Sequence, residues 1–323
     1  MRVLVTGGAG FIGSSLVESL LKNENINHVR VLDNPATGSV ENIEEFYLHP
    51  RFEFLQGDIR DYSICLQACD GIDLISHQAA LGSVPRSIDD PLTTNEVNIT
   101  GTLNIFNAAK EKGIKRLVYA ASSSTYGDHP GLPKVENEIG KPLSPYAVTK
   151  YVNELYAKIY ADVYGMELIG LRYFNIFGPK QNPKGPYAAV IPLFIEALLN
   201  GQPPVINGDG KHSRDFTYVT NAVQANILSL FTDNKKAVNQ VYNIAYGQQT
   251  SLQELFDYLK KISGKSTEAT YRPERTGDVK HSLADITKAK QLLGYDPRVS
   301  VEGGLRKTFE WYKAKIESLK SEV

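Results

Sequence analysis

Cysteine is nearly absent from this chain, with two in 323 residues. Cys65 and Cys69 stand as C-x-x-x-C, with no second pair and no clustered histidine. That excludes a disulfide framework and leaves no recognisable metal site; two reduced thiols in a cytosolic protein are expected. Charge of one sign is lacking as well. Lys plus Arg number 35 and Asp plus Glu 36, a formal net charge of −1. A near-neutral chain has no broad pull toward nucleic acid or anionic membrane, and neither is expected as a partner. No apolar run approaches about 18 residues, so no membrane span is expected. The opening MRVLVTGGAG has no charged head, apolar block and cleavage site, so no secretory signal is expected either.

What is present is enough for a large core. At 35.7 kDa, about three quarters of the surface of the unfolded chain can be buried. Short β-rich runs alternate with helical stretches in the first half. Strands are expected at Val3–Val5, Val29–Leu32, Arg51–Leu55, Ile72–Ser76, Leu117–Ala121 and Glu167–Leu171. Helices are expected at Phe11–Leu21, near Pro91–Lys112 and at Tyr146–Tyr164. This alternation predicts an α/β fold, a doubly wound parallel sheet with helices on both faces. After about residue 171, Pro179, Pro183, Pro186, Pro192, Pro203 and Pro204 break the chain into loops. Helical patterns return at Leu193–Leu199, Ser251–Ile262, Ile286–Leu293 and Gly304–Leu319. We therefore expect a dinucleotide domain over 1–170 and a smaller mixed α/β substrate domain over 171–323, with room for the chain to return to the first.

The first strand runs into Thr6-Gly7-Gly8-Ala9-Gly10-Phe11-Ile12-Gly13, a G-x-x-G-x-x-G loop. Gly7 permits the tight turn, Gly10 a close approach to a pyrophosphate, and Gly13 close helix packing. The helix start offers free N–H groups to an anion. Asp33 lies 20 residues beyond Gly13, at the end of the second strand. Its carboxylate can accept from ribose hydroxyls and would repel a 2′-phosphate, which points to NAD rather than NADP. A glycine triplet alone is weak; following a strand, opening a helix and preceding this acid, it is a dinucleotide site. Asp58 reads equally as an acceptor for the adenine amino group or as a turn cap.

Tyr146 and Lys150 are spaced i, i+4 and face the same way on a helix. A phenol titrates near 10, too high for a base at pH 7. A nearby ammonium and a cationic nicotinamide ring favour the phenolate, and a shift of about 3 units needs roughly 4 kcal/mol. Y-x-x-x-K recurs by chance; its place after a complete dinucleotide loop gives it weight. Upstream, Ser122 to Tyr126 end a strand, where ligands bind in open α/β sheets. Their hydroxyls can bond a reacting oxygen or merely cap their own turn.

Together these motifs resemble the extended short-chain dehydrogenase/reductase family, and within it the nucleotide-sugar 4-epimerases. The matching stretches are T-G-G-A-G-F-I-G at 6–13, L-D-N at 32–34, G-D-I-R-D at 57–61, H-Q-A-A at 77–80, N-I-T-G-T at 98–102, S-S-S-T-Y-G at 122–127, S-P-Y-A-V-T-K at 144–150 and R-Y-F-N-I-F-G-P at 172–179. The resemblance implies a Rossmann fold and NAD as cofactor. Phe11 and Ile12 would line the pyrophosphate, and Asp33 would hold the adenosine ribose, with Asn34 and Gly38 nearby. Asp58 and Ile59 would flank the adenine. Gln78, Ala79 and Ala80 would run beside the pyrophosphate and nicotinamide ribose, with Asn98 behind them. Ser122, Tyr146 and Lys150 would be catalytic. Tyr173 would meet the nicotinamide and Asn175 a substrate phosphate.

For the UDP-sugar, the resemblance implies uridine contacts at Val190, Ile191 and Asn207. Arg214, Arg275 and Asp278 would hold the diphosphate, and Ser83 and Ser123 would line the sugar. The reaction implied is inversion at C4 of the hexose by transient oxidation. Epimerases confined to glucose and galactose carry a bulky Tyr where this chain has Ser282. A small residue there leaves room for a 2-acetamido group, so UDP-GlcNAc/UDP-GalNAc is expected to be turned over faster than UDP-Glc/UDP-Gal. A 4,6-dehydratase would need an Asp-Glu pair at positions 123 and 124, which hold Ser123 and Ser124. A UDP-glucuronate-modifying enzyme is a weaker rival. A non-catalytic NAD-binding regulator would tend to have lost the Tyr or the Lys. The resemblance also implies a homodimer through helices near 93–112 and 146–164.

Overall fold

The structure is a computed structural model and describes residues 1–183, 189–274 and 280–321. Seven parallel strands form its central sheet: β1 (Arg2–Thr6), β2 (His28–Asp33), β3 (Phe52–Gln56), β4 (Leu74–His77), β5 (Arg116–Ser122), β6 (Glu167–Tyr173) and a late strand over Gln240–Ile244. The spatial order is β3-β2-β1-β4-β5-β6, then the late strand at the edge beyond β6. The order reverses between β1 and β4, where Thr6 pairs with His77. Such a reversal opens a crevice at the carboxyl ends of the strands.

Side chains explain the layering. In β1, Val3 and Val5 point into one core while Leu4 points into the other. Parallel strands covered on both faces read as continuous apolar runs, as Val-Leu-Val does here. Helices α1 (Phe11–Leu21), α2 (Tyr62–Cys69), α3 (Val84–Asp89), α4 (Pro91–Asn95), α5 (Thr102–Glu111) and α6 (Pro145–Tyr164) follow in chain order. Residues of α1 join Val3 and Val5 in one core; residues of α2, α5 and α6 join Leu4 in the other. The helix expected near Pro91–Lys112 is interrupted by a π-helical turn over Glu96–Gly101. Helix α6 starts and stops where its sequence says. Ser144 caps it by accepting from Ala147 N at 3.1 Å, Pro145 fills the first turn, and Gly165 ends it in the left-handed region.

Beyond β6 the chain makes short strands. They are β7 (Ile176–Phe177), β8 (Val205–Asn207), β9 (Ser213–Arg214), β10 (Thr217–Tyr218), the edge strand β11 (Gln240–Ile244), β12 (Thr250–Ser251) and β13 (Thr270–Arg272). Apart from β11 they pair off in twos: β7 with β10, β8 with β13, β9 with β12. Helices α7 (Val190–Leu199), α8 (Val219–Phe231), α9 (Leu252–Ser263), α10 (Thr287–Leu293) and α11 (Val301–Ser321) complete the chain. Two elements of this later part return to the central sheet. Helix α8 packs on α1 and on β4, β5 and β6, and β11 pairs with β6. The expected boundary at 170 also falls inside β6, which runs on to Tyr173.

Candidate active site

The glycine loop has the backbone that its sequence requires. Gly7 has φ +70°, and a Cβ there would lie 2.6 Å from Ala79 N. At Gly13 a Cβ would come within 2.1 Å of the Gly7 carbonyl, so the helix packs onto the loop itself. A Cβ on Gly10 would meet only the Gly7 oxygen, at 3.1 Å, leaving an open cradle at the start of α1. The first N–H groups of α1 lack intrahelical acceptors and suit an anion there. Gly38 lies against the same loop; a Cβ would stand 2.5 Å from Ala9 O.

Asp33 ends β2 and accepts from Ala9 N at 2.9 Å. Burial raises its carboxyl above the ordinary value. Asp58 is held below the ordinary range, because Arg60 donates to it from Nη2 at 2.7 Å and from its backbone at 2.8 Å. Arg60 Nε at 3.1 Å and Asn34 Nδ2 at 2.9 Å also donate to it. Arg60 belongs to the G-D-I-R-D stretch, but its pairing with Asp58 was not expected from the sequence. Ile59 is buried in the core, its side chain against Gly101. A carboxylate, a helix start and a glycine cradle in one crevice fit a dinucleotide.

Between these groups and the sheet sits a chain of buried side chains. His77 Nδ1 lies 2.7 Å from Thr6 Oγ1, and Nε2 2.9 Å from Thr102 Oγ1. Thr102 gives its own proton to Asn98 O, so Nε2 carries the hydrogen of a neutral ring. Burial agrees, lowering the imidazole to about 3. Asn98 clamps the strand-end loop from both sides. Its Oδ1 accepts from Leu81 N at 2.8 Å, and its Nδ2 donates to Leu81 O at 3.2 Å and Thr149 Oγ1 at 3.1 Å.

The proposed catalytic side chains meet at the carboxyl end of β5. Ser122 caps the short turn Ser123–Tyr126, accepting from Ser124 N at 3.1 Å. Its hydroxyl donates to Ser124 Oγ at 3.1 Å, and its nearness to the Tyr146 hydroxyl favours the phenolate. The turn-capping reading of this loop is therefore met. Burial is the larger influence on Tyr146 and raises it above 10. The activated phenol expected from the sequence is not a property of these side chains alone. Lys150 donates to Ala120 O at 2.8 Å and lies 6.0 Å from the Tyr146 ring. Burial lowers its ammonium to about 8.

The residues expected at the substrate end also converge. Asn175, Val190, Ile191, Asn207 and Arg214 line one cleft of about 240 Å³, with Gln181, His212, Phe216 and Leu252. Asn175 sits at φ +39°, strained for a non-glycine residue. Its Nδ2 reaches Asp215 O and Ser282 Oγ, both at 3.3 Å. Ser282 itself is fixed by N–H donation to Ser213 O at 3.1 Å. Asp215, fully buried, accepts from the N–H groups of Tyr246, Gly247 and Ala284 at 3.0–3.2 Å. Burial pushes its carboxyl up to about 6. Ser83 caps α3, accepting from Arg86 N at 3.2 Å. Arg275 and Asp278 lie outside the described residues. Sequence reasoning missed Asp215 as the clamp of this region, because its partners are backbone groups 31 to 69 residues away.

A parallel sheet with a glycine loop at its switch point, an acid ending β2 and a Tyr-Lys pair under a serine defines a nicotinamide-dependent enzyme. The sequence profile of the NAD dependent epimerase/dehydratase family matches residues 3–245, and the chain belongs to that family, with NAD as its cofactor. A putative UDP-glucose 4-epimerase of Methanocaldococcus jannaschii is 40% identical over 96% of this chain and 98% of its own. The solved UDP-N-acetylglucosamine 4-epimerase from Methanobrevibacter ruminantium, in complex with UDP-N-acetylmuramic acid, is also 40% identical. It superposes with a TM-score of 0.92 over 97% of this chain and 98% of its own. The UDP-glucose 4-epimerase of Thermus thermophilus, solved with NAD, is 36% identical, with a TM-score of 0.87 over 97% and 99%.

Proposed function

We propose that the protein is a UDP-sugar 4-epimerase whose preferred pair is UDP-GlcNAc and UDP-GalNAc, with slower turnover of UDP-Glc and UDP-Gal. The observation that carries this is the cleft uniting Asn175, Val190, Ile191, Asn207 and Arg214 beside the small side chain of Ser282. Val190, Ile191 and Asn207 take the uridine. Asn175 and Arg214 take the diphosphate, with Arg275 and Asp278. Ser282 leaves space for a 2-acetamido group, and Ser83 and Ser123 line the sugar.

At the cofactor end, Phe11, Ile12 and the backbone of Gly7, Gly10 and Gly13 cradle the pyrophosphate. Asp33, Asn34, Gly38, Asp58 and Ile59 surround the adenosine. Gln78, Ala79, Ala80, Asn98 and Tyr173 flank the nicotinamide half. NAD supplies a hydride acceptor that returns what it takes, so net oxidation is zero. Tyr146 takes the proton of the C4 hydroxyl, with Ser122 holding the same oxygen. Lys150 keeps a positive charge beneath both. After the hexose has turned about its phosphate linkage, the same phenol returns the proton. Ser123 and Ser124 offer no strong acid and base for eliminating water, which favours epimerisation over dehydration.

The test is kcat/KM on both pairs; a clear preference for the non-acetylated pair would sink the assignment. Ser282→Tyr is expected to lower turnover of the acetylated pair about tenfold more than that of the other, the scale of a steric discrimination in a pocket. An equal loss on both pairs would mean general damage.

We also infer a homodimer. Helix α6 exposes Val148, Leu155, Ile159 and Val163 along one stripe, and Ile88 and Leu92 are exposed on the neighbouring α3 and α4. A contiguous apolar face of this kind marks a protein interface. Ile159→Lys should convert a dimer to a monomer in analytical ultracentrifugation; an unchanged sedimentation coefficient would count against this face.

A further inference from the structure

Four polar side chains beneath the crevice close a hydrogen-bonded ring. Ser76 and Gln78 come from the end of β4, Tyr173 from the end of β6, and Asn226 from α8. The direction of every bond follows from one contact. Asn226 Nδ2 donates to Ala222 O at 2.9 Å, and a carbonyl only accepts, so this end of the amide is its NH2 group. The second N–H reaches the Tyr173 hydroxyl at 2.7 Å. That hydroxyl, already accepting, gives its proton to Gln78 Oε1 at 3.0 Å. Gln78 Nε2 then faces the other way and donates to Asn226 Oδ1 and Ser76 Oγ, both at 2.9 Å. Ser76 closes the ring by donating to Asn226 Oδ1 at 3.1 Å. Each donor of the ring's amides and hydroxyls is used. Ser76 and Asn226 are wholly buried, where an orphaned polar group is costly.

We propose that Asn226 is a positioning residue for the nicotinamide half of the cofactor. It is wholly buried and acts through Gln78 and Tyr173, to which it is bonded. It fixes the direction of the ring, and so sets how Gln78 and the Tyr173 ring stand at the carboxyl ends of β4 and β6. The proposal rests on the reading that those two residues face the nicotinamide half. One consequence separates the two tyrosines of the site. The Tyr173 proton is committed to Gln78, while the Tyr146 hydroxyl stands near Ser122 at the end of β5. Only Tyr146 is left for proton exchange with a sugar, and Tyr173 presents a ring.

Asn226→Asp keeps the shape but replaces both N–H donors by lone pairs. The carboxylate accepts from Tyr173, reverses that bond and leaves Gln78 Oε1 without its donor. NAD should then leave the purified holoenzyme about tenfold faster, the scale of one orphaned buried polar group. The Kd for UDP alone should not change. Tyr173→Phe removes the same bond from the other side and should give a similar acceleration. The double variant should be no worse than either single one, since both break one unit. Ser76→Ala deletes a single hydroxyl in place and should speed NAD release about twofold; it serves where Asn226→Asp does not fold, and an unchanged release rate there overturns the proposal. Wild-type release in Asn226→Asp, with fast release in Tyr173→Phe, overturns the positioning role and keeps the nicotinamide wall. Wild-type release in Tyr173→Phe overturns the wall itself. Loss of UDP affinity in step with NAD release overturns the proposal in favour of a merely structural role.

Discussion

At the cofactor end of the cleft, Thr6, Asp33, His77, Ser122 and Tyr173 each end a strand of the seven-stranded sheet. At the substrate end, Asn207, Ser213 and Arg214 sit on strands of two or three residues. The first arrangement places side chains through a ladder of neighbouring strands, and its tolerances are steric. The second has little ladder, so single buried side chains hold loops together. Asp215 is the chief one, with backbone donors on the 246–247 and 284 segments. Asn243, reaching out from the edge strand of the central sheet, ties two more loop segments, bonding Lys134 O and Asp285 O at 2.9 and 3.0 Å. One end should fail by loss of space and the other by loss of a hydrogen-bonded clamp.

The largest expected effect falls at the seam between the two. Tyr146→Phe should lower kcat by ~10³-fold, within the range of general acid–base catalysis. Bound NAD per protomer should be unchanged; near-normal turnover would remove Tyr146 from its proposed role. Gly13→Ala tests the steric end. A Cβ 2.1 Å from the Gly7 carbonyl cannot be accommodated without moving the loop. The variant should purify with little NAD and a lowered melting temperature, by ~1–3 kcal/mol of overpacking. Retained NAD at full occupancy would show that the loop is softer than its geometry implies.

Asp215→Asn tests the clamp. An amide oxygen replaces a carboxylate, so KM for the UDP-sugar should rise while NAD content stays constant. The pH dependence has a definite sign. Burial raises the native carboxyl to about 6 from an ordinary 3.8. Between those values the native state holds the extra proton, so its stabilisation is complete below about 4 and is lost as pH rises through about 6. Relative to Asp215→Asn, the wild-type protein should lose up to ~3 kcal/mol across that window. A pH-independent gap in denaturant titrations would contradict this. The smallest effect belongs to Cys65→Ala. The thiol is buried, pushed up to about 12, and bonded to Ile59 O at 3.2 Å. Its loss should cost ~1 kcal/mol of stability and leave kcat unchanged.

The same contrast explains what could be read from the sequence. Strands β1 to β6 announce themselves as apolar runs, and the glycine loop and α6 carry their turn and cap residues in order. Helix α8 carries none. Its cap position is Tyr218, with no side-chain hydrogen bond to the helix start, and Asn221 and Asn226 interrupt its apolar pattern. Strand β11 is five residues, with Gln240 at its start and a buried Asn243 in fourth place, so its polarity hides it. The π-helical turn at Glu96–Gly101 has no sequence signal. Among site residues, Tyr146, Lys150 and Asp33 were legible because their spacing is local. Asn226 and Asp215 were not, because their partners are brought in from up to 150 residues away.

The return of α8 and β11 to the central sheet bears on how this protein can be re-engineered. The part of the chain beyond β6 is not a terminal cassette. A chimera joined after residue 173 would replace the sheet's edge strand and the helix that carries Asn226 together with the proposed sugar site. Exchange of specificity between relatives should therefore keep 219–244 with the parent that supplies the first 173 residues, and graft only the segments on either side.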